Sequence, residues 1–136
     1  MIVADTNLIG YLFLESEHSA LAEQVLRRDS EWAAPLLWRS ELRNVLARYV
    51  RQRALSLAAS QQIMDAALDL MAGREHVVDS GQVLQLAALS GCSAYDCEFV
   101  AVAQDLGVPL VTRDRQVLRA FPRVAMSLAS FAEGAA

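Results

Sequence analysis

Short apolar runs alternate along the chain with longer stretches in which apolar residues recur every three or four positions. The runs read as strands at about Ile2–Ala4, Trp32–Ala34, His76–Val78, Pro109–Val111 and Val124–Met126. The longer spacing predicts helices over Glu17–Arg28, Leu36–Gln52, Leu57–Met71, Ser80–Leu89, Ala94–Leu106 and Arg115–Ala120, with a short one near the C-terminus. Ser56 is placed to cap the third helix, and Gly91 and Gly107 follow helix ends, where a left-handed turn favours glycine. Strands alternating with helices imply right-handed crossovers and a parallel sheet covered on both faces. The expected fold is therefore α/β, a three-layer α/β/α sandwich. With 136 residues and no linker, repeat or low-complexity tract, residues 1–136 read as a single domain.

In such sheets ligands bind beyond the carboxyl ends of the strands, where the strand order reverses. Asp5-Thr6-Asn7 follow the first strand, Asp79-Ser80 the third and Thr112-Arg113-Asp114 the fourth. Each acid also has an ordinary explanation. Asp5, Thr6 or Asn7, and Asp79 and Asp114, are all residues that cap helices. Asp96 projects onto the apolar stripe of Phe99, Val100, Ala103 and Leu106, an expensive place for an unpaired charge, although Ser93-Ala94-Tyr95-Asp96 also matches a capping box. Glu41 lies at the edge of the stripe Trp38, Leu42, Val45, Leu46 and Tyr49, where a weak surface ion pair would also account for it. Glu98 projects to water, and Asp79 reads as a cap at a sheet edge.

Composition narrows the chemistry. Hydrophobic residues make up 54% of the chain, which excludes a disordered tail. No apolar run approaches the roughly 20 residues of a membrane span, and no leader pattern opens the chain, so a cytoplasmic protein is expected. Cys92 and Cys97 have no C-x-x-C spacing and read as reduced thiols. The net charge is −4, so a polyanion would have to be held locally or through a metal ion. All twelve basic residues are arginine. The absence of lysine excludes P-loop nucleotide hydrolases and Schiff-base enzymes.

If Asp5, Glu41, Asp96 and Asp114 converge, up to four negative charges share a site and something positive must lie between them. Hard oxygen donors with no histidine–cysteine cluster point to Mg²⁺ or Mn²⁺ rather than zinc, and neither His18 nor His76 has metal spacing. Such an ion on a phosphodiester can activate water, neutralise the non-bridging oxygens and support the leaving oxygen.

Three segments, "ADTNLIGYLF", "WRSELRNVL" and "SAYDCEFVAVAQDLGVPLVTRD", resemble the PIN-domain family, in particular the VapC-type ribonuclease toxins of bacterial toxin–antitoxin pairs. The resemblance spans the whole chain in order. It implies a parallel sheet in the order 3-2-1-4-5 and assigns Asp5, Glu41, Asp96 and Asp114 as catalytic metal ligands. It also implies Thr6, Asn7 and Thr112 as supporting residues, Mg²⁺ or Mn²⁺ as cofactor, and single-stranded RNA as substrate. Arg39, Arg43, Arg48, Arg51, Arg113 and Arg115 are candidates for phosphate contacts, with a solvated helix face as the alternative for each. Leu55, Leu57, Ile63, Met64, Leu68 and Met71 exceed what one sheet face needs and suggest an interface, although all of them could be internal core. The resemblance implies a homodimer and a cognate antitoxin whose tail lies in the helical groove beside the acids. Other readings remain: a housekeeping RNA-processing nuclease of the same family, a non-catalytic binding module, and a receiver or phosphatase domain, the last disfavoured because its expected lysine is missing.

Overall fold

A computed structural model describes residues 1–134. Five parallel strands, β1 (Ile2–Ala4), β2 (Trp32–Pro35), β3 (Glu75–His76), β4 (Leu110–Val111) and β5 (Ala125–Met126), form one sheet in the order β3-β2-β1-β4-β5. This is the expected topology. Val3 is opposite Ala33 on one side and Leu110 on the other, so β1 is the central strand. All three of its residues are fully buried, as a doubly covered parallel strand requires.

Among the described residues eight helices flank the sheet: α1 (Thr6–Phe13), α2 (Ser19–Arg28), α3 (Leu37–Arg51), α4 (Leu57–Met71), α5 (Ser80–Ser90), α6 (Ala94–Leu106), α7 (Arg115–Ala120) and α8 (Leu128–Ala132). Three of them, α4, α6 and α7, have the bounds that their periodicity predicts. The hydroxyl of Ser56 accepts from the Ala59 amide at the start of α4, and Gly91 and Gly107 take left-handed conformations after α5 and α6. The core is centred on Trp32, Trp38, Leu42 and the sheet-facing side of α6, where Cys97, Phe99, Val100, Ala101, Val102 and Ala103 are all buried. Both cysteines are free and buried.

Three expectations change. A helix, α1, begins directly after β1, in a segment whose polar start and mid-helix Gly10 conceal its periodicity. The third strand lies earlier than expected, at Glu75–His76, because its pairing partner β2 ends at Pro35, opposite His76. Val77 then passes beyond the sheet and is 85% exposed. The third change concerns the apolar surplus of α3 and α4. Met71 is fully buried and Ile63, Met64 and Leu68 pack against the core, so among those residues Leu57 alone is largely exposed. The larger exposed apolar surface belongs to α5 and its neighbours, Val77, Leu84, Leu89 and Tyr95.

Among the described residues no single helix is long and apolar enough to cross a membrane. α5 and α6 together pass on composition, but they bend by 114° at their junction and α6 is the core helix.

Candidate functional site

The strand order reverses between β1 and β4, and the chain leaves these two neighbouring strands through Asp5 and Thr112. The backbone ties the ends together, since the Asp5 amide donates to the Val111 carbonyl at 3.3 Å. Asp5 occupies the N-cap position of α1 but makes no side-chain capping bond. Its Oδ2 instead accepts from the Thr112 hydroxyl at 2.6 Å. The same hydroxyl oxygen accepts from the Asp114 amide at 3.0 Å. One buried threonine thus positions two of the acids.

A second buried threonine positions the third. Thr6 donates its hydroxyl to Glu41 Oε1 at 2.7 Å, joining the first turn of α1 to α3. Thr6 and Thr112 are two of the few buried polar residues among those described, and each spends its hydroxyl on a carboxylate. Asp96 stands at the third position of α6, where its amide donates to the Ser93 hydroxyl at 3.0 Å. Asp114 caps α7, its Oδ1 accepting from the Val117 amide at 3.0 Å. The capping explanations for Ser93–Asp96 and Asp114 are therefore correct as far as they go. They use the Asp96 amide and one Asp114 oxygen, and both side chains still reach the site.

All four acids line a single open cavity of about 230 Å³, together with Thr6, Asn7 and Asn44. Asn7 is exposed at its rim. Asn44 was not anticipated, although it follows Glu41 by three residues and so shares its helix face. Asp79 lies elsewhere, capping α5 beside the edge strand by accepting from the Gln82 amide at 2.9 Å.

The electrostatics are those of crowded, partly desolvated carboxylates. Burial pushes the Asp5 carboxyl above the usual range. The Thr112 hydroxyl pulls it back, as does the nearby backbone N–H of Asn7, which is too poorly placed to form a capping hydrogen bond, and the charges of Asp96 and Asp114 push it up again. Glu41 is raised by burial, opposed by Thr6, and raised further by Asp5, Asp96 and Glu98. Asp96 is raised by burial and by Asp114, with the Ser93 hydroxyl opposing. Glu98 corrects an expectation. It is half-buried rather than turned to water, burial raises its pKa, and its charge adds to the repulsion at Glu41.

Among the described residues no three acidic, histidine or cysteine side chains are drawn together closely enough to enclose a cation as they stand. The donor set still fits a hard divalent ion: carboxylates from four elements around one cavity, with Asn and Thr oxygens beside them and no histidine or thiol. A bound cation would also offset the mutual repulsion that raises these pKa values.

The arginines divide. Arg39 is committed to structure, since its Nε and Nη2 each donate to Glu75 at 2.6 Å, and Trp38 donates to the same carboxylate. This pair ties α3 to β3 and leaves Arg39 a poor candidate for a phosphate contact. Arg43 and Arg51 face a groove between α3 and α4, away from the acids. Arg113 donates to the Tyr11 hydroxyl at 2.9 Å and lies over that ring, close to the acidic cavity in sequence and space. Arg115 is exposed beside Asp114.

A parallel α/β domain with an acid-lined cavity at its switch point defines a structural class, and sequence comparison gives that class a name. The PIN domain model matches residues 2–125, and the chain belongs to the PIN domain family. It is 27% identical over 125 residues to Ribonuclease VapC3 of Pyrobaculum aerophilum, covering 89% of this chain and 95% of that one. The fold is similar to the crystal structure of PAE2754 from Pyrobaculum aerophilum, with a TM-score of 0.77, 21% identity and coverage of 97% of this chain and 93% of that one.

Proposed function

We propose that this chain is a Mg²⁺- or Mn²⁺-dependent endoribonuclease that cleaves single-stranded RNA, the toxin of a toxin–antitoxin pair, acting as one cytoplasmic domain over residues 1–136. The observation that carries the reading is the convergence of Asp5, Glu41, Asp96 and Asp114 on one cavity, with two of the carboxylates held by buried threonine hydroxyls. Membership of the PIN family and similarity to a chain named as a ribonuclease support it.

In this reading the four acids hold the metal. When bound, a divalent ion supplies an acidified water as nucleophile and neutralises charge on the scissile phosphate. The protein's part is orientation. Thr112 fixes the Asp5 carboxylate and the Asp114 backbone, and Thr6 fixes Glu41, so these donors are held at the rim of one cavity, and a cation would have to draw them closer. The raised pKa values of Asp5, Glu41 and Asp96 mean that their protonation competes with the cation. Metal affinity, and cleavage with it, falls as pH drops into the carboxyl range.

In this scheme the antitoxin tail lies in a helical groove beside the acids and continues into the apolar groove of about 400 Å³ between α3 and α4, lined by Leu46, Ala47, Val50, Leu57 and Met64 and flanked by Arg43 and Arg51. The apolar groove suits an amphipathic segment with acidic flanks. The proposed homodimer uses the separate apolar face of α5. Purified chain incubated with labelled single-stranded RNA tests the function. Cleavage is expected with Mn²⁺, none after chelation, and none once the protein encoded by the neighbouring reading frame is added. A chain that cleaves but is not inhibited by that protein is a nuclease without the toxin role.

A further inference from the structure

Gly10 stands in the middle of α1, where glycine is the least favoured residue after proline. The usual reasons for glycine in a helix are missing. Gly10 takes no left-handed conformation, and a Cβ placed on it would meet no atom within 4 Å. Alanine would fit and would favour the helix. What the glycine leaves open is the floor of a groove between α1 and α3, with a volume of about 410 Å³. That lies within the size range of small-ligand clefts, about 300–1,000 Å³.

The groove continues the acidic site, because Thr6, Asn7 and Val45 line both cavities. Away from the acids its walls include Tyr11 and Tyr49, and its polar groups are Ser16, Arg48 and Gln52, with Asn7 at the junction of the two cavities. Tyr11 is fixed in place by Arg113 on its hydroxyl and by the His18 ring 4.7 Å away. Tyr49 packs on the core and is partly open. Aromatic rings, an arginine and side-chain amides around a slot are the chemistry that holds an unstacked nucleobase of a single strand. The α3–α4 groove differs in kind, being almost entirely apolar.

We infer that the α1–α3 groove is a base-binding subsite, which takes the nucleobase flanking the scissile phosphate and whose floor Gly10 keeps open. The inference rests on the nuclease reading of the neighbouring acids. Asn7 and Gln52 can hydrogen-bond the base edge, Tyr49 gives it a ring to stack on, and Arg48 takes the adjoining phosphate. Choice of RNA sequence then depends partly on a pocket next to the chemistry.

The test is a coupling measurement. Equilibrium binding of a fluorescent single-stranded oligoribonucleotide is measured by anisotropy in Mg²⁺ on an Asp5→Asn background, with an abasic residue placed at each position in turn. At one position, loss of the base should weaken binding about tenfold with Gly10 present and less than twofold with Gly10→Val, because the filled groove no longer accepts it. Tyr49→Leu should reduce the same difference. Gly10→Ala should raise the melting temperature, which shows that a side chain at this position leaves the fold intact. Equal abasic effects at every position with Gly10 and with Gly10→Val, or no detectable RNA binding, would overturn the subsite. So would loss of binding to the neighbouring gene's protein with RNA binding unchanged, which would make the groove a protein site. Cleavage by the native chain is assayed in parallel. If it cleaves RNA and no coupling is found, only the subsite fails; if it cleaves none, the nuclease reading fails with it.

Discussion

Thr112 forms two hydrogen bonds through one oxygen, and both serve carboxylate-bearing residues. Such an arrangement places negative charges where burial and mutual repulsion oppose ionisation. Its cost is visible in the raised pKa values of Asp5, Glu41 and Asp96. A carboxyl whose pKa is raised by folding destabilises the fold when ionised in both states. That cost is fully present above the raised pKa and disappears as pH falls below the unfolded value, about 3.9 for Asp. Asp5→Asn should therefore raise the melting temperature by a few degrees near pH 7 in the absence of divalent ions. The gain should shrink as the pH is lowered through the carboxyl range, which scanning calorimetry across pH can follow. The same variant should lose cleavage. Glu41→Gln should lower cleavage by at least about a hundredfold, or roughly 2.7 kcal/mol of barrier. Glu98→Gln should lower it severalfold at most, because Glu98 acts on the site only through its charge on Glu41. Similar losses from the two in a single-turnover assay would place Glu98 among the ligands.

Asp114 shows how a helix end and a site can share one residue. Its Oδ1 caps α7 while its side chain lines the acidic cavity. Asn caps as well as Asp, so Asp114→Asn should change unfolding free energy by under about 0.5 kcal/mol while removing most of the cleavage. Asp114→Ala should lose the cleavage and about 1 kcal/mol of stability as well, by urea titration. Capping and periodicity also explain how much was legible beforehand. α4, α6 and α7 could be bounded from sequence because Ser56, Ser93, Asp114 and Gly107 mark their ends. α1 was obscured by its mid-helix glycine and by a polar start that served the site instead of a cap. β3 was misplaced because a two-residue edge strand has no pattern of its own, and the end of β2 decided its register. The topology rule selects strand ends and so pointed to Asp5 and Asp114, whereas Glu41 and Asp96 lie on helices and were singled out by their helical projection and by the family resemblance. The two threonine hydrogen bonds were not legible, since one depends on how α1 packs on α3 and the other on the register of β1 and β4. The Arg39–Glu75 pair was not legible for a related reason: the two residues stand 36 positions apart.

Three surfaces of the described residues carry the proposed functions: the acidic cavity with the groove that continues it, the apolar α3–α4 groove, and the apolar face of α5. On the last, Leu84 and Leu89 are 65% and 81% exposed. Exposed apolar side chains of this size are the usual mark of an association face, and this one is the proposed dimer contact. Light scattering at micromolar concentration should find about twice the 14.9 kDa chain mass, and Leu89→Asp should return it to the monomer without loss of fold. A native chain that stays monomeric across a tenfold concentration range would leave that face without its proposed partner. The acidic composition, with a net charge of −4, bears on function at the same scale. A protein of this charge needs a cation to bring a phosphodiester onto four carboxylates. That requirement can be measured directly by incubating labelled single-stranded RNA with the native chain and with Asp5→Asn, purified in parallel, in Mn²⁺ and in excess chelator. A metal-holding site at Asp5, Glu41, Asp96 and Asp114 predicts cleavage by the native chain in Mn²⁺ and in no other arm. Cleavage that persists in chelator, or that Asp5→Asn matches in Mn²⁺, would contradict it.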